Sequence, residues 1–124
     1  EALARHAQGM TASRIRLLET RIERIKQHLA AVGDMTPGTL SKQYNVCGNP
    51  TCKCKDPVQP QRHGPYYQLS LTRKGKSKTR FVKQHELPLL RAQLKNYAKF
   101  KRLTDAWVQA ALELAEIKRR SSLS

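Results

Sequence analysis

Three thiols fall within eight residues of this 124-residue chain, in the run Cys47-Gly48-Asn49-Pro50-Thr51-Cys52-Lys53-Cys54. An odd number of cysteines cannot all close on one another within the chain. Such tight spacing suits a metal site in a reducing compartment better than a secreted disulfide framework. Gly48 and Pro50 are residues that a knuckle-like turn favours. His63 stands directly before Gly64-Pro65. Zinc prefers four tetrahedral ligands, and Cys₃His is an accepted structural set. The expected ligands are therefore Cys47, Cys52, Cys54 and His63, with His85 as the alternative fourth. A structural Zn²⁺ here would crosslink the loop to the hairpin and make up for a small core. Three other readings are open: free cysteines in a loop, a redox pair or catalytic thiol, and a catalytic zinc. The last is disfavoured because Asp56 is the sole acid nearby. His6 and His28 read as solvent-facing helical residues.

The elements that must position this cluster can be read on either side of it. Ile15, Leu18, Ile22, Ile25, Leu29 and Val32 recur at alternating spacings of three and four, which predicts a helix over 1–33 with a heptad-like seam. That seam reads either as a core-facing stripe or as a self-pairing coiled coil. Glu19 and Glu23 interleave with Arg16, Arg21, Arg24 and Lys26, so i,i+4 pairs are expected along its outer face. A second helix is predicted over 86–119. Pro88 sits in its first turn, and its apolar stripe runs from Leu90 through Leu94, Tyr97, Phe100, Leu103, Trp107, Ala110 or Ala111 and Leu114 to Ile117. Between them, residues 37–85 read as knuckle plus sheet. Tyr66 to Thr72 alternates polar and apolar, Thr79 to Val82 returns, and Leu40 to Val46 offers a third strand. A two-residue loop at Lys74-Gly75 would set Leu69 against Arg80 and Leu71 against Lys78, placing charge on the apolar face. An odd loop centred on Gly75, pairing Leu69 with Phe81 and Leu71 with Thr79, is therefore expected. The fold class is α+β: two long antiparallel helices flank a zinc-stapled sheet of two or three antiparallel strands, in a single domain over 1–124.

Charge narrows the partner. Twenty-four Lys and Arg stand against nine Asp and Glu, for a formal net charge of +15. Residues 37–85 carry ten of the bases and one of the acids, a net of +9. A density of this kind points to a polyanion. In the hairpin, Arg73, Lys74, Lys76, Lys78 and Arg80 are candidates for phosphate contacts, with Lys53, Lys55 and Arg62 flanking the metal. Gln68, Ser70, Thr72 and Arg80 are candidates to read base edges. Tyr66 is a candidate stacking residue, or else a strand residue packed on the knuckle. No apolar run approaches the ~18–20 residues that span a bilayer, so a cytoplasmic, nucleoid-associated protein with no membrane partner is expected.

The same residues carry a resemblance. Gly38-Thr39-Leu40-Ser41, the Cys-x4-Cys-x-Cys of Cys47, Cys52 and Cys54, His63-Gly64-Pro65-Tyr66-Tyr67, Gly75-Lys76 with Thr79-Arg80, and Asn96-Tyr97 with Phe100 resemble a family of small, functionally uncharacterised bacterial proteins. The genes of that family often lie near transposases and other mobile elements. The likeness covers roughly residues 37–103 and implies the ligand set, but no activity. A looser similarity is to the three-stranded DNA-binding domains of tyrosine-type integrases, from which this chain departs in its knuckle and long helices.

The function expected is a zinc-stabilised nucleic-acid-binding module, DNA being favoured over RNA, serving as an accessory or regulatory factor of a mobile element or phage. The alternative is a helical protein–protein adaptor. It would self-associate or bind a transposase, recombinase or other acidic partner through helices 10–32 and 86–119, with Lys95, Lys99, Lys101 and Arg102 as a basic patch. An enzyme is not expected: Asp34, Asp56, Glu86 and Asp105 do not cluster as metal-dependent nucleases require.

Overall fold

A computed structural model describes the backbone of residues 2–123 and the side chains of residues 8–122. His6 lies outside the described side chains, and His28 is exposed. The chain runs α1 (Ala2–Ala30), β1 (Thr39–Asn45), a 3₁₀ turn (Lys53–Lys55), β2 (His63–Arg73), β3 (Lys76–Val82), a second 3₁₀ turn (Gln84–Glu86) and α2 (Leu87–Leu123). This is the α+β order expected, with the third strand present. Two compact units are distinguished: Glu1–Asp34 with Asn96–Ser124, and Met35–Lys95.

The first unit is a helix pair. The heptad-spaced side chains Leu18, Ile22 and Ile25 are buried, and Ile15, Leu29 and Val32 are half-buried. Leu18 and Ile22 meet Ala110, with Trp107, Leu114 and Ile117 packed around them. The helices run antiparallel. At one end the Asn96 side-chain amide donates to the Asp34 carbonyl at 2.8 Å. Further along, the Lys26 ammonium lies 5.3 Å from the Trp107 ring centre, and Arg14 pairs with Glu113 at 2.6 Å. The seam thus packs within the chain. Of the acids expected to pair along α1, Glu23 comes to 4.0 Å from Lys26, while Glu19 turns to Lys118 on α2 at 3.5 Å.

The second unit is the sheet with the first turns of α2. Strand order is β1-β2-β3, all antiparallel. Directly paired residues point to the same face, so the register sorts the side chains. Leu40, Tyr67, Leu69, Leu71 and Val82 share one face, where Leu69 and Val82 bury against Leu87 and Leu90 of α2, with Leu40, Tyr67 and Leu94 around them. Ser41, Gln43, Tyr66, Gln68, Ser70, Thr72, Ser77, Thr79 and Phe81 share the other.

The odd hairpin loop is not what forms. Leu69 pairs with Arg80, Leu71 with Lys78 and Arg73 with Lys76, leaving a two-residue loop at Lys74-Gly75. Both loop residues have positive φ, +52° and +76°, as a type I′ turn requires, and such a turn matches the strand twist. The cost foreseen for charge on the apolar face does not arise, because only the end of that face near Val82 is buried. Towards the turn, Lys78 and Arg80 are exposed, and the Arg80 guanidinium reaches Glu86 at 3.3 Å. Glu86 in turn accepts the Lys83 N–H at 2.7 Å, closing the turn that leads into α2.

Candidate metal centre and the surface around it

The β1–β2 ladder brings the candidate ligands together. Asn45 pairs with His63, so residues 46–62 form a loop whose base carries Cys47 on one side and His63 on the other. Gly64 makes the close approach of the strands possible at this point. Its φ is +135°, and a Cβ there would stand 2.8 Å from the Gln43 carbonyl oxygen. Within the loop, the Asn49 side chain accepts from the Thr51 N–H at 3.1 Å and the Thr51 hydroxyl at 2.8 Å. The Cys52 N–H donates to the Asn49 carbonyl at 3.2 Å. The 3₁₀ turn then swings Cys54 inward, where it is 3% exposed.

Cys47, Cys52, Cys54 and His63 each offer a ligand atom, and these atoms all lie within 4.8 Å of one another. Cys47 Sγ and Cys54 Sγ are 3.6 Å apart, and Cys52 Sγ is 3.2 Å from His63 Nε2. A tetrahedral ion with metal–sulfur bonds of ~2.3 Å spaces its sulfurs by about 3.8 Å. The four residues therefore fit a metal site. His85 is exposed in the second 3₁₀ turn and is not in the group, so His63 completes it. The Cys47 N–H also points at Cys54 Sγ, at 3.4 Å. Hydrogen bonding at the Asn49 backbone, with help from His63, Cys52 and Cys54, holds the Cys47 thiol down to about 6. Burial, the largest influence on Cys54, pushes its thiol up.

The basic residues fall in two groups. Lys53, Lys55 and Arg62 are exposed on the loop, and Arg73, Lys74 and Lys76 are exposed at the hairpin turn, at opposite ends of β2. Lys78 and Arg80 lie between, on the face shared with Leu69 and Leu71, with Arg80 held by Glu86. Arg80 is thus on the opposite face from Gln68, Ser70 and Thr72, with which the odd loop would have grouped it. Those three stand on the open face with Tyr66, which is 42% exposed. The acid of this segment, Asp56, accepts the N–H groups of Val58 and Gln59 at 2.8 and 3.2 Å, and these bonds hold its carboxyl below the usual range. Sequence reasoning missed Phe81, which is 67% exposed and paired with Gln68 on the open face. The two-residue loop was the signal that would have placed it there.

Fold and site together define a small α+β protein with a Cys₃His cluster at the base of a three-stranded antiparallel sheet. The chain belongs to the family described as a domain of unknown function (DUF6788), which matches residues 15–92. That span takes in most of α1, the cluster, the whole sheet and the first turns of α2. No curated protein and no solved structure matches the chain. Among the described residues, no helix is long and apolar enough to cross a membrane.

Proposed function

We propose that this protein is a nucleic-acid-binding module whose cluster holds a structural zinc ion and whose partner is DNA. Three thiols and one imidazole are a soft donor set that suits zinc over the oxygen-preferring cations. The observation that carries the nucleic-acid reading is the charge of residues 37–85. Ten cations meet one acid there, and that acid is occupied by two backbone N–H groups. Exposed cations at both ends of the sheet supply phosphate contacts, and those contacts provide most of the affinity in such complexes. The module binds rather than catalyses. An accessory or regulatory role in a mobile element or phage rests on the family resemblance of the cysteine and His-Gly-Pro-Tyr-Tyr motifs.

The test is charge reversal in the hairpin. The Lys76→Glu/Lys78→Glu variant is expected to lose DNA binding in fluorescence anisotropy while keeping its metal and its helical circular dichroism. Binding like that of the unaltered protein would refute the assignment of the hairpin.

One observation favours a second reading, the helical adaptor. On the helix pair, Leu17, Val108 and Leu112 are 58%, 57% and 62% exposed. A protein partner or a second copy held chiefly through these apolar side chains would bind with little dependence on salt, whereas phosphate binding weakens steeply.

A further inference from the structure

Among the described residues, the open face of the sheet carries no charged side chain. Across its three strands it shows Ser41, Gln43, Tyr66, Gln68, Ser70, Thr72, Ser77, Thr79 and Phe81, in a chain of which 27% is charged. All of them are exposed or only half-buried. Its two aromatic rings, Tyr66 and Phe81, sit on neighbouring strands. Phe81 pairs with Gln68, so Tyr66 is its diagonal neighbour, at a distance of about 7–8 Å in such ladders. Gln68 lies beside both, and its amide is oriented by Gln43 at 2.9 Å.

Cations bracket this neutral strip. β2 runs eleven residues, or about 36 Å at ~3.3 Å per residue. Lys53, Lys55 and Arg62 lie towards its start and Lys74 in the turn at its end, with Arg73 and Lys76 paired beside that turn on the face of Leu71. A polyanion laid along β2 would have its phosphates held at the two ends and its uncharged parts over the middle. In a duplex the base faces are stacked on one another and closed to aromatic rings. In an unpaired strand they are free to stack on exposed aromatic side chains, and the Watson–Crick edges are free for an amide such as Gln68.

We propose that the open face is a stacking platform for an unpaired DNA strand, with Phe81 and Tyr66 each taking a base. This rests on the nucleic-acid reading of the charged segment and names its substrate class. DNA rather than RNA is the strand to which the proposal commits. Of the four hydroxyls that β2 and β3 pair across this face, two protons are already spent within the sheet, between Ser70 and Thr79 at 3.3 Å and between Thr72 and Ser77 at 2.9 Å.

The test is an anisotropy titration of the metal-loaded protein with an oligothymidine single strand, a mixed-sequence duplex and an oligouridine strand. The unaltered protein is expected to bind oligothymidine most tightly. Phe81→Ala and Tyr66→Ala are each expected to weaken that binding by about 5- to 150-fold, the range found when a stacking side chain is removed. Their duplex affinity should be unchanged, and Phe81→Trp should restore the loss. Because Phe81 is 67% exposed, its truncation leaves the core intact. Tyr66→Leu, which keeps bulk without a ring, serves as the second variant, and metal content checks that both fold. Single-strand binding untouched by both alanine variants, or tighter binding of duplex, would overturn the platform and leave the nucleic-acid reading standing. Tighter binding of oligouridine would overturn the commitment to DNA. No binding of any probe by the unaltered protein would overturn both.

Discussion

Removing the metal should melt the loop over residues 46–62 and leave the hairpin folded. Among the described residues of that loop, Cys54 is the one buried side chain. Ordering its seventeen residues costs roughly 17–25 kcal/mol at ~1–1.5 kcal/mol each, the lower part of the usual range because Pro50, Pro57 and Pro60 are already restricted. Against this the loop makes eight internal hydrogen bonds that do not involve sulfur, about 8 kcal/mol in net terms at ~1 kcal/mol each. The shortfall of about 9–17 kcal/mol matches the ~10–16 kcal/mol that a structural zinc ion contributes to peptides of this kind. The β2–β3 hairpin has its own support in Leu69, Val82, Leu87 and Leu90. Hydrogen exchange with mass analysis, before and after chelation, separates the two. The amides of Cys52, Lys55 and Asp56 are expected to lose protection in the stripped protein, while those of Leu69 and Arg80 keep it. Retained protection in the loop, with metal loss verified by mass, would refute the reasoning.

Three further outcomes rest on local geometry. Lys74 holds φ +52° in the two-residue turn, so Lys74→Asn, which creates the Asn-Gly pair favoured there, is expected to stabilise the protein by about 0.5–1 kcal/mol in denaturant melts; destabilisation would contradict the turn. Gly64→Ala forces a Cβ towards the Gln43 carbonyl oxygen and is expected to cost ~1–3 kcal/mol and to weaken metal binding, read by competition with a chromophoric chelator. Glu86 is held below the ordinary carboxylate range, first by the Lys83 N–H bond and then by Arg80. A depressed carboxyl stabilises the fold above its unfolded pKa, and that support is lost as pH falls through the lower folded value. Glu86→Ala should therefore lower the melting temperature at neutral pH, and the difference should shrink in acid; a constant difference would exclude the linkage.

The chelating residues were legible because cysteine and histidine have few other reasons to gather in a short basic loop. Both helices were legible from the three–four spacing of Leu18, Ile22 and Ile25 and of Leu90, Leu94 and Tyr97, whose apolar stripes any helical backbone must cover. β1 was visible as the stretch from Leu40 to Val46, just before the first cysteine, that could add a third strand to the hairpin. The hairpin register was not visible, for two physical reasons. Lys74 is not a residue that announces left-handed backbone, so the type I′ turn had no signal beyond Gly75. The objection to placing Lys78 and Arg80 beside leucines assumed a face buried along its whole length, whereas burial stops near Leu69 and Val82. Moving the register by one residue moved Phe81 to the open face. The place of Phe81 on the surface offered for base stacking was thus hidden by the same error.

Metal-dependent DNA binding is best tested by titrating the metal-loaded protein against DNA over a series of salt concentrations. Lys53, Lys55, Arg62, Arg73, Lys74 and Lys76 bracket the sheet, and six such contacts to a single strand predict a slope of log K against log salt near −4, at about −0.7 per phosphate. A slope of that size, falling to about −2 on metal removal as the melted loop releases Lys53, Lys55 and Arg62 while the hairpin keeps its three cations, is the expected result. Binding that is absent, or weak and equal for every nucleic acid, would contradict DNA recognition by the sheet and turn attention to a protein partner for the helices.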